Sequence, residues 1–111
     1  MLFRSGAQGI GLAIARRLLA SDARVRIWDR DGGLLAGIVT EFGLNASGDA
    51  IDVTDPHAVE RGTKAALAAL GRIDVLINNA GIAGVNAPTV DYPLDEWERV
   101  LRVNLTGPFL C

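Results

Sequence analysis

Residues 5–11 read Ser5-Gly6-Ala7-Gln8-Gly9-Ile10-Gly11, and eighteen residues after Gly11 the run Val25-Arg26-Ile27-Trp28 ends on Asp29. The glycine loop lies between a short apolar run, Met1 to Arg4, and a stretch of helical period from Gly9 to Ser21. Glycine permits positive φ and lets a ligand approach the backbone closely. The N–H groups and the positive dipole end of the helix that follows favour a pyrophosphate at that point. A plain tight turn is the other reading of the loop. Asp29 stands where a dinucleotide-binding fold carries an acid, roughly 20 positions after the loop and at the tip of the second strand. A carboxylate there accepts both ribose hydroxyls of NAD and repels the extra phosphate of NADP. Arg30, next to it, is a group that could pair with that phosphate, and a solvated loop acid is the plain alternative for Asp29.

Outward from this stretch the chain keeps one rhythm. Strands are expected at Met1 to Arg4, Arg24 to Asp29, Ala50 to Val53 and Asp74 to Asn78, each followed by a helical pattern. Gly9 to Ser21 has Ile10, Ile14 and Leu18 on one face and Leu12, Ala15 and Leu19 on another, which predicts a buried helix. A second helix runs from Gly32 to about Phe42, with Gly43 as its stop. Asp55 followed by Pro56 is a capping carboxylate with proline at the first helical position, and that helix reaches Leu70 before Gly71. The last helix starts near Leu94, is expected to carry Trp97, Leu101 and Leu105 inward, and still runs at Cys111. Val75, Leu76 and Ile77 are consecutive, the pattern of a strand covered on both faces. Strand alternating with helix predicts an α/β fold with a parallel sheet.

The chain has 111 residues, a net charge of −2, half of its residues hydrophobic and 22% charged. One domain with a real core is expected, and disorder is excluded as a description of the whole. The basic residues form no patch, which argues against nucleic acid as a partner. One cysteine, Cys111, excludes a disulfide framework and suits a reducing, cytoplasmic setting. No apolar run reaches the roughly 18 residues of a membrane span. The length supplies about four βα units, where a doubly wound dinucleotide fold uses about six strands. The expectation is therefore a Rossmann-type doubly wound parallel sheet truncated to about four βα units, one partial NAD-binding domain over residues 1–111, read as a fragment.

In order along the chain, these motifs resemble the short-chain dehydrogenase/reductase family from Leu2 to Cys111. Ser5 to Gly11 resembles the family's T-G-x-x-x-G-x-G segment, with Arg4 on the threonine and Ser5 on the first glycine as departures. The resemblance implies cofactor contacts from Ser5, Gly6, Gln8, Gly9, Ile10 and Gly11, and from Asp29 and Arg30. Asp52-Val53 resembles the aspartate-hydrophobe pair that contacts the adenine. Asn78-Asn79-Ala80-Gly81 is the most specific match. In the family this turn steadies the sheet and lies against the adenosine side of the cofactor, which implies roles for Asn79, Ala80 and Gly81. In Val103-Asn104-Leu105-Thr106-Gly107, Val103 joins the cofactor contacts and Asn104 falls on the asparagine of the family's Asn-Ser-Tyr-Lys catalytic set. Alone, Asp52 could be a capping acid, the Asn-Asn-Ala-Gly run a turn, and Asn104 a solvent-facing residue.

The resemblance implies an oxidoreductase that moves hydride between NAD, less so NADP, and a secondary alcohol or ketone. It is similar to 3-oxoacyl-acyl carrier protein reductases and to sugar or polyol dehydrogenases. A small-molecule substrate, no nucleic acid, no membrane and a homo-oligomer of the complete protein go with it. Tyr92 is the only tyrosine and Glu96 stands four residues on, where the family pairs tyrosine with lysine. The serine, tyrosine and lysine are thus expected beyond Cys111, and this chain alone is expected to be inactive. A non-catalytic dinucleotide-binding remnant is the rival, and a sugar-nucleotide epimerase or methyltransferase a more distant one. His57 has no cluster at ligand spacing, so no metal site is expected, and Trp28 and Trp97 read as packing residues. Pro108 lies four residues after Asn104 and has no N–H, so the Asn104 carbonyl loses its helical partner. In the family that carbonyl holds a water reaching the lysine.

Overall fold

A computed structural model describes residues 2–4 and 7–111. The chain alternates β1 (Leu2–Arg4), α1 (Gly9–Leu19), β2 (Val25–Asp29), α2 (Gly32–Phe42), β3 (Ala46–Ala50), α3 (Pro56–Leu70) and β4 (Leu76–Ile77). A long connection with one short turn, Thr89–Asp91, leads to α4 (Leu94–Leu101). A widened π turn (Arg102–Thr106) and a last short helix, α5 (Gly107–Leu110), follow. Among the described residues the sheet is parallel with strand order β3-β2-β1-β4. This is the 3-2-1-4 start of the doubly wound order.

The two faces of β2 divide the core. Val25 and Ile27 are fully buried against Ala15 of α1 and Leu35 of α2. Trp28 is fully buried on the other face, against Ile51 and Ala58, Val59 and Ala66 of α3. Gly62 makes room for the indole: a Cβ there would stand 2.7 Å from Trp28 Cζ2. The indole N–H has no partner among the described residues. Arg26, on the Trp28 face, grips Asp49 through two bonds of 2.7 and 2.6 Å across the β2–β3 pair.

The expected Asp55 cap and Gly43 and Gly71 stops bound α2 and α3, and Asp31 adds a cap at the start of α2 that the sequence reading did not name. The Asp31 side chain accepts from Leu34 N and that of Asp55 from His57 N, while Gly43 and Gly71 end the helices at φ +75° and +80°. Arg24 adds bonds to the terminal α3 carbonyls of Ala69 and Leu70.

Several expectations are corrected. The third strand is Ala46–Ala50, not Ala50 to Val53. Its polar Ser47-Gly48-Asp49 stretch carries no strand signal of its own; pairing with β2, from Val25↔Ala46 to Asp29↔Ala50, makes it a strand. Gly48 is required there, since a Cβ would meet Leu35 Cδ1 at 2.8 Å and the Ile27 carbonyl at 2.9 Å. β4 is shorter than Asp74 to Asn78 and is not covered on both faces, with Val75 and Leu76 exposed beside the sheet edge. Helix α1 ends at Leu19 and is not buried all round, as Ile10 is 74% exposed.

The final helix departs most. Trp97, Leu101 and Leu105 point outward, and the partly or fully buried positions are Glu96, Val100, Val103, Gly107 and Leu110, with Pro108 and Cys111 beside them and Leu110 and Cys111 packed on the Trp28 cluster. These repeat at helical spacing, so a mixed stripe faces the body while the more apolar one faces out. No described helix is long and apolar enough to cross a membrane.

Candidate functional site

The loops that leave the carboxyl ends of the strands meet in one cleft of about 740 Å³. In a doubly wound sheet this is where ligands bind. The β1–α1 loop contributes Gln8, the β2–α2 turn Asp29 and Arg30, and the β3–α3 turn Ile51 to Thr54. The segment after β4 contributes Asn79 to Ile82, and α4 with its π turn forms the remaining wall.

Helix α1 starts without a side-chain cap and without an acid in its first turn. Its first residue, Gly9, has φ +56° and open space over its Cα. Ala7 and Gly11 on either side are buried. The start of α1 at Gly9 therefore presents uncapped backbone at the positive end of a helix.

Asp29 is only 7% exposed, so it is not a solvated loop acid. Its Oδ1 accepts from Asp31 N at 3.1 Å and its Oδ2 from Ala7 N at 3.4 Å. Asp52 lies past the end of β3, in the turn, exposed at the cleft edge. The Thr54 N–H and hydroxyl, bonded to it at 2.8 and 2.7 Å, hold its carboxyl below the ordinary value, and Arg30 acts in the same direction. Val53 beside it is buried, and Gly107 packs on it: a Cβ at Gly107 would stand 3.1 Å from Val53 Cγ2.

Asn104 sits in the π turn and does not merely face solvent. Its Oδ1 accepts from Ile82 N at 2.9 Å and its Nδ2 donates to Ile82 O at 2.8 Å. One side-chain amide thereby fixes the segment after Asn79-Ala80-Gly81. The π turn answers the chemistry of Pro108: the Gly107 N–H reaches back five residues to the Arg102 carbonyl, and the helix widens around the missing donor.

Of the residues singled out in the sequence, Gln8, Asp29, Arg30, Asp52, Val53, Asn79, Ala80, Gly81 and Val103 line this cleft together. Gly9, Ile10 and Gly11 stand at the adjoining helix start and are not part of the lining, and Asn104 touches it through Ile82. Ser5 and Gly6 lie outside the described residues. Sequence reasoning missed Ile51, Thr54 and Ile82, and the polar wall of Asp95, Glu96, Glu98, Arg99 and Arg102. In that wall Arg99 holds Glu96 through two 2.8 Å bonds, which keep the Glu96 carboxyl below its ordinary value. The i, i+3, i+7 spacing of Asp95, Glu98 and Arg102 was the available signal, passed over because Trp97, Leu101 and Leu105 were expected to face inward.

Comparison with known proteins places this geometry. The family model described as short chain dehydrogenase matches residues 2–111. A 2-dehydro-3-deoxy-L-rhamnonate dehydrogenase (NAD(+)) of Sphingomonas sp. (strain SKA58) is 40% identical over 106 residues, covering 96% of this chain and 42% of that protein. The 3-ketoacyl-(acyl-carrier-protein) reductase of Brucella melitensis, solved in complex with NADH, superposes with a TM-score of 0.94 at 31% identity. The match covers 98% of this chain and 45% of that one. A metagenomic short-chain oxidoreductase solved with NADP gives 0.90 at 36% identity, over 98% and 51% of the two chains. The chain spans about two fifths of the length of the curated relatives it matches.

Proposed function

Because the chain belongs to the short-chain dehydrogenase family of oxidoreductases, we propose that it is the dinucleotide-holding part of an enzyme acting on a secondary alcohol or ketone. The observation that carries this reading is the cleft itself, which gathers Asp29, Asp52-Val53, Asn79 to Gly81 and Val103 from separate loops. The residues fit a nicotinamide dinucleotide. The bare start of α1 at Gly9 offers N–H groups to a pyrophosphate. The Asp29 carboxylate keeps lone pairs beyond the two N–H bonds it accepts, and these suit ribose hydroxyls. Val53 and Val103 supply apolar surface for a base, and Asp52 a hydrogen-bond acceptor beside it.

Such a cofactor, when bound, supplies the hydride acceptor or donor. The chain's own residues bind and orient it. Asn104, fixed by its two bonds to Ile82, holds the backbone of the π turn in place beside the cleft. NAD is the favoured cofactor, since Asp29 sets a negative charge where NADP carries its extra phosphate. A substrate of the 3-oxoacyl or sugar-alcohol class belongs to the complete protein, as does a homo-oligomer covering the exposed stripe of Leu94, Leu101 and Leu105. A dinucleotide-binding remnant without turnover is the second reading, favoured by the lack of a Tyr-x-x-x-Lys pair within these 111 residues.

Calorimetric titration of the chain with NAD and NADP tests the proposal. NAD is expected to bind more tightly, and Asp29→Ala to erase about 1–3 kcal/mol of its binding. Tighter binding of NADP would transfer the choice to Arg30, and no binding of either would end the reading for this chain. Turnover on alcohol or ketone panels by the chain itself would exclude the remnant.

A further inference from the structure

We propose that Asp29 has a second role, as the positioning residue that locks the glycine-rich loop onto the rest of the cleft. Three loops end on this one residue. Its Oδ2 accepts the Ala7 N–H of the β1–α1 loop, its Oδ1 the Asp31 N–H of the β2–α2 turn, and its backbone carbonyl the Ile51 N–H that opens the β3–α3 turn, at 2.9 Å. The Ala7 contact is long at 3.4 Å, but Ala7 is 1% exposed, so its N–H is shielded from water. A buried N–H needs a partner, and here the partner carries a charge, which strengthens the bond.

The carboxylate has about four acceptor positions, and the two N–H groups take two. It is able to hold the loop and accept a ribose diol at the same time. If it acted only on the ribose, a ligand lacking the ribose hydroxyls would be indifferent to it. If it also locks the loop, such a ligand still depends on it, because Ala7 leads directly into Gln8 and Gly9 at the start of α1. The loop-locking role itself is independent of the dinucleotide reading; its consequence for affinity rests on that reading.

The test compares the chain with Asp29→Ala, which removes both carboxylate oxygens that accept from Ala7 and Asp31. Asp29→Leu, of similar size and without an acceptor, serves if the alanine variant does not fold. Amide hydrogen exchange by NMR is read at Ala7, with Val59 and Ala66 in α3 as the fold control. Affinity is read for NAD and for its analogue lacking the 2′ and 3′ hydroxyls of the adenosine ribose. Ala7 exchange is expected to rise at least about tenfold with α3 unchanged, and the analogue to bind about tenfold more weakly to the variant than to the parent. Unchanged Ala7 exchange in a folded variant overturns the proposal. So does faster exchange with unchanged affinity for the analogue. If the parent binds neither dinucleotide, the functional reading fails and the exchange at Ala7 alone decides the loop-locking role.

Discussion

Within the stretch from Val25 to Ala66, strand β2 has three large side chains fully buried, Val25, Ile27 and Trp28. Between Leu94 and Phe109 the opposite holds: Leu94, Trp97, Leu101, Leu105 and Phe109 are 38–85% exposed. The two regions have comparable apolar content, so composition does not explain the difference. The first is held by apolar packing on both faces of β2. The second is fixed to the body by specific polar and close contacts: Asn104 on the Ile82 backbone, and Gly107 against Val53. Apolar side chains there are left as surface.

The sharpest way to break this contrast is to empty the first region. Trp28→Ala is expected to cost about 3–5 kcal/mol, measured by urea unfolding followed by circular dichroism. A loss below about 1 kcal/mol would show that the packing around β2 does not carry the stability assigned to it. The second region is tested at its polar anchor. Asn104→Ala removes both bonds to Ile82 and is expected to cost about 1–3 kcal/mol, seen as faster amide exchange at Ile82. Asn104→Asp keeps the acceptor, loses the donor, and should fall between.

A smaller effect lies at the β3–α3 turn, inside the first region. The folded value of the Asp52 carboxyl is lowered, chiefly by the Thr54 N–H and hydroxyl. Its contribution to stability is therefore fully present above the ordinary value of 3.8 and is lost as pH falls through the lower folded value. Acid titration of stability should show this loss in the parent, and Asp52→Asn should flatten that part of the curve. A curve unchanged by the substitution would remove the turn from the account. Smallest of all, Phe109→Ser at an 85% exposed position should change stability by no more than about 0.5 kcal/mol. A loss of several times that would mean the exposed stripe is packed after all.

The same contrast explains what the sequence disclosed. Helices α2 and α3 were legible to the residue at most ends because their signals are local: Gly43 and Gly71 as stops, Asp55 before Pro56 as a start. The cleft residues were legible because Asp29, Asp52-Val53 and Asn78 to Gly81 are short motifs at strand ends. β3 was misplaced because its strand character comes from β2, not from Ser47, Gly48 or Asp49. The orientation of α4 was inverted because its inward stripe, with Glu96 and Gly107, is less apolar than its outward one. Pro108 announced a missing helical bond but not how the backbone would absorb it, and the π turn was the answer.

The two tryptophans fall one to each region, and this gives the molecule a built-in optical readout. Trp28 is sealed among aliphatic groups with its N–H unpaired among the described residues, whereas Trp97 is 55% exposed and meets the Tyr92 ring edge-on at 6.5 Å. The buried indole should emit at the blue end of the tryptophan spectrum and resist acrylamide quenching, while the exposed one emits further to the red and is quenched freely. Emission followed at two wavelengths through a thermal melt would then report each half separately, without any label. Coincident curves would mean that the packed half and the anchored half open as one cooperative unit. A red component that changes first would mean that the α4 side lets go while the sheet is still intact.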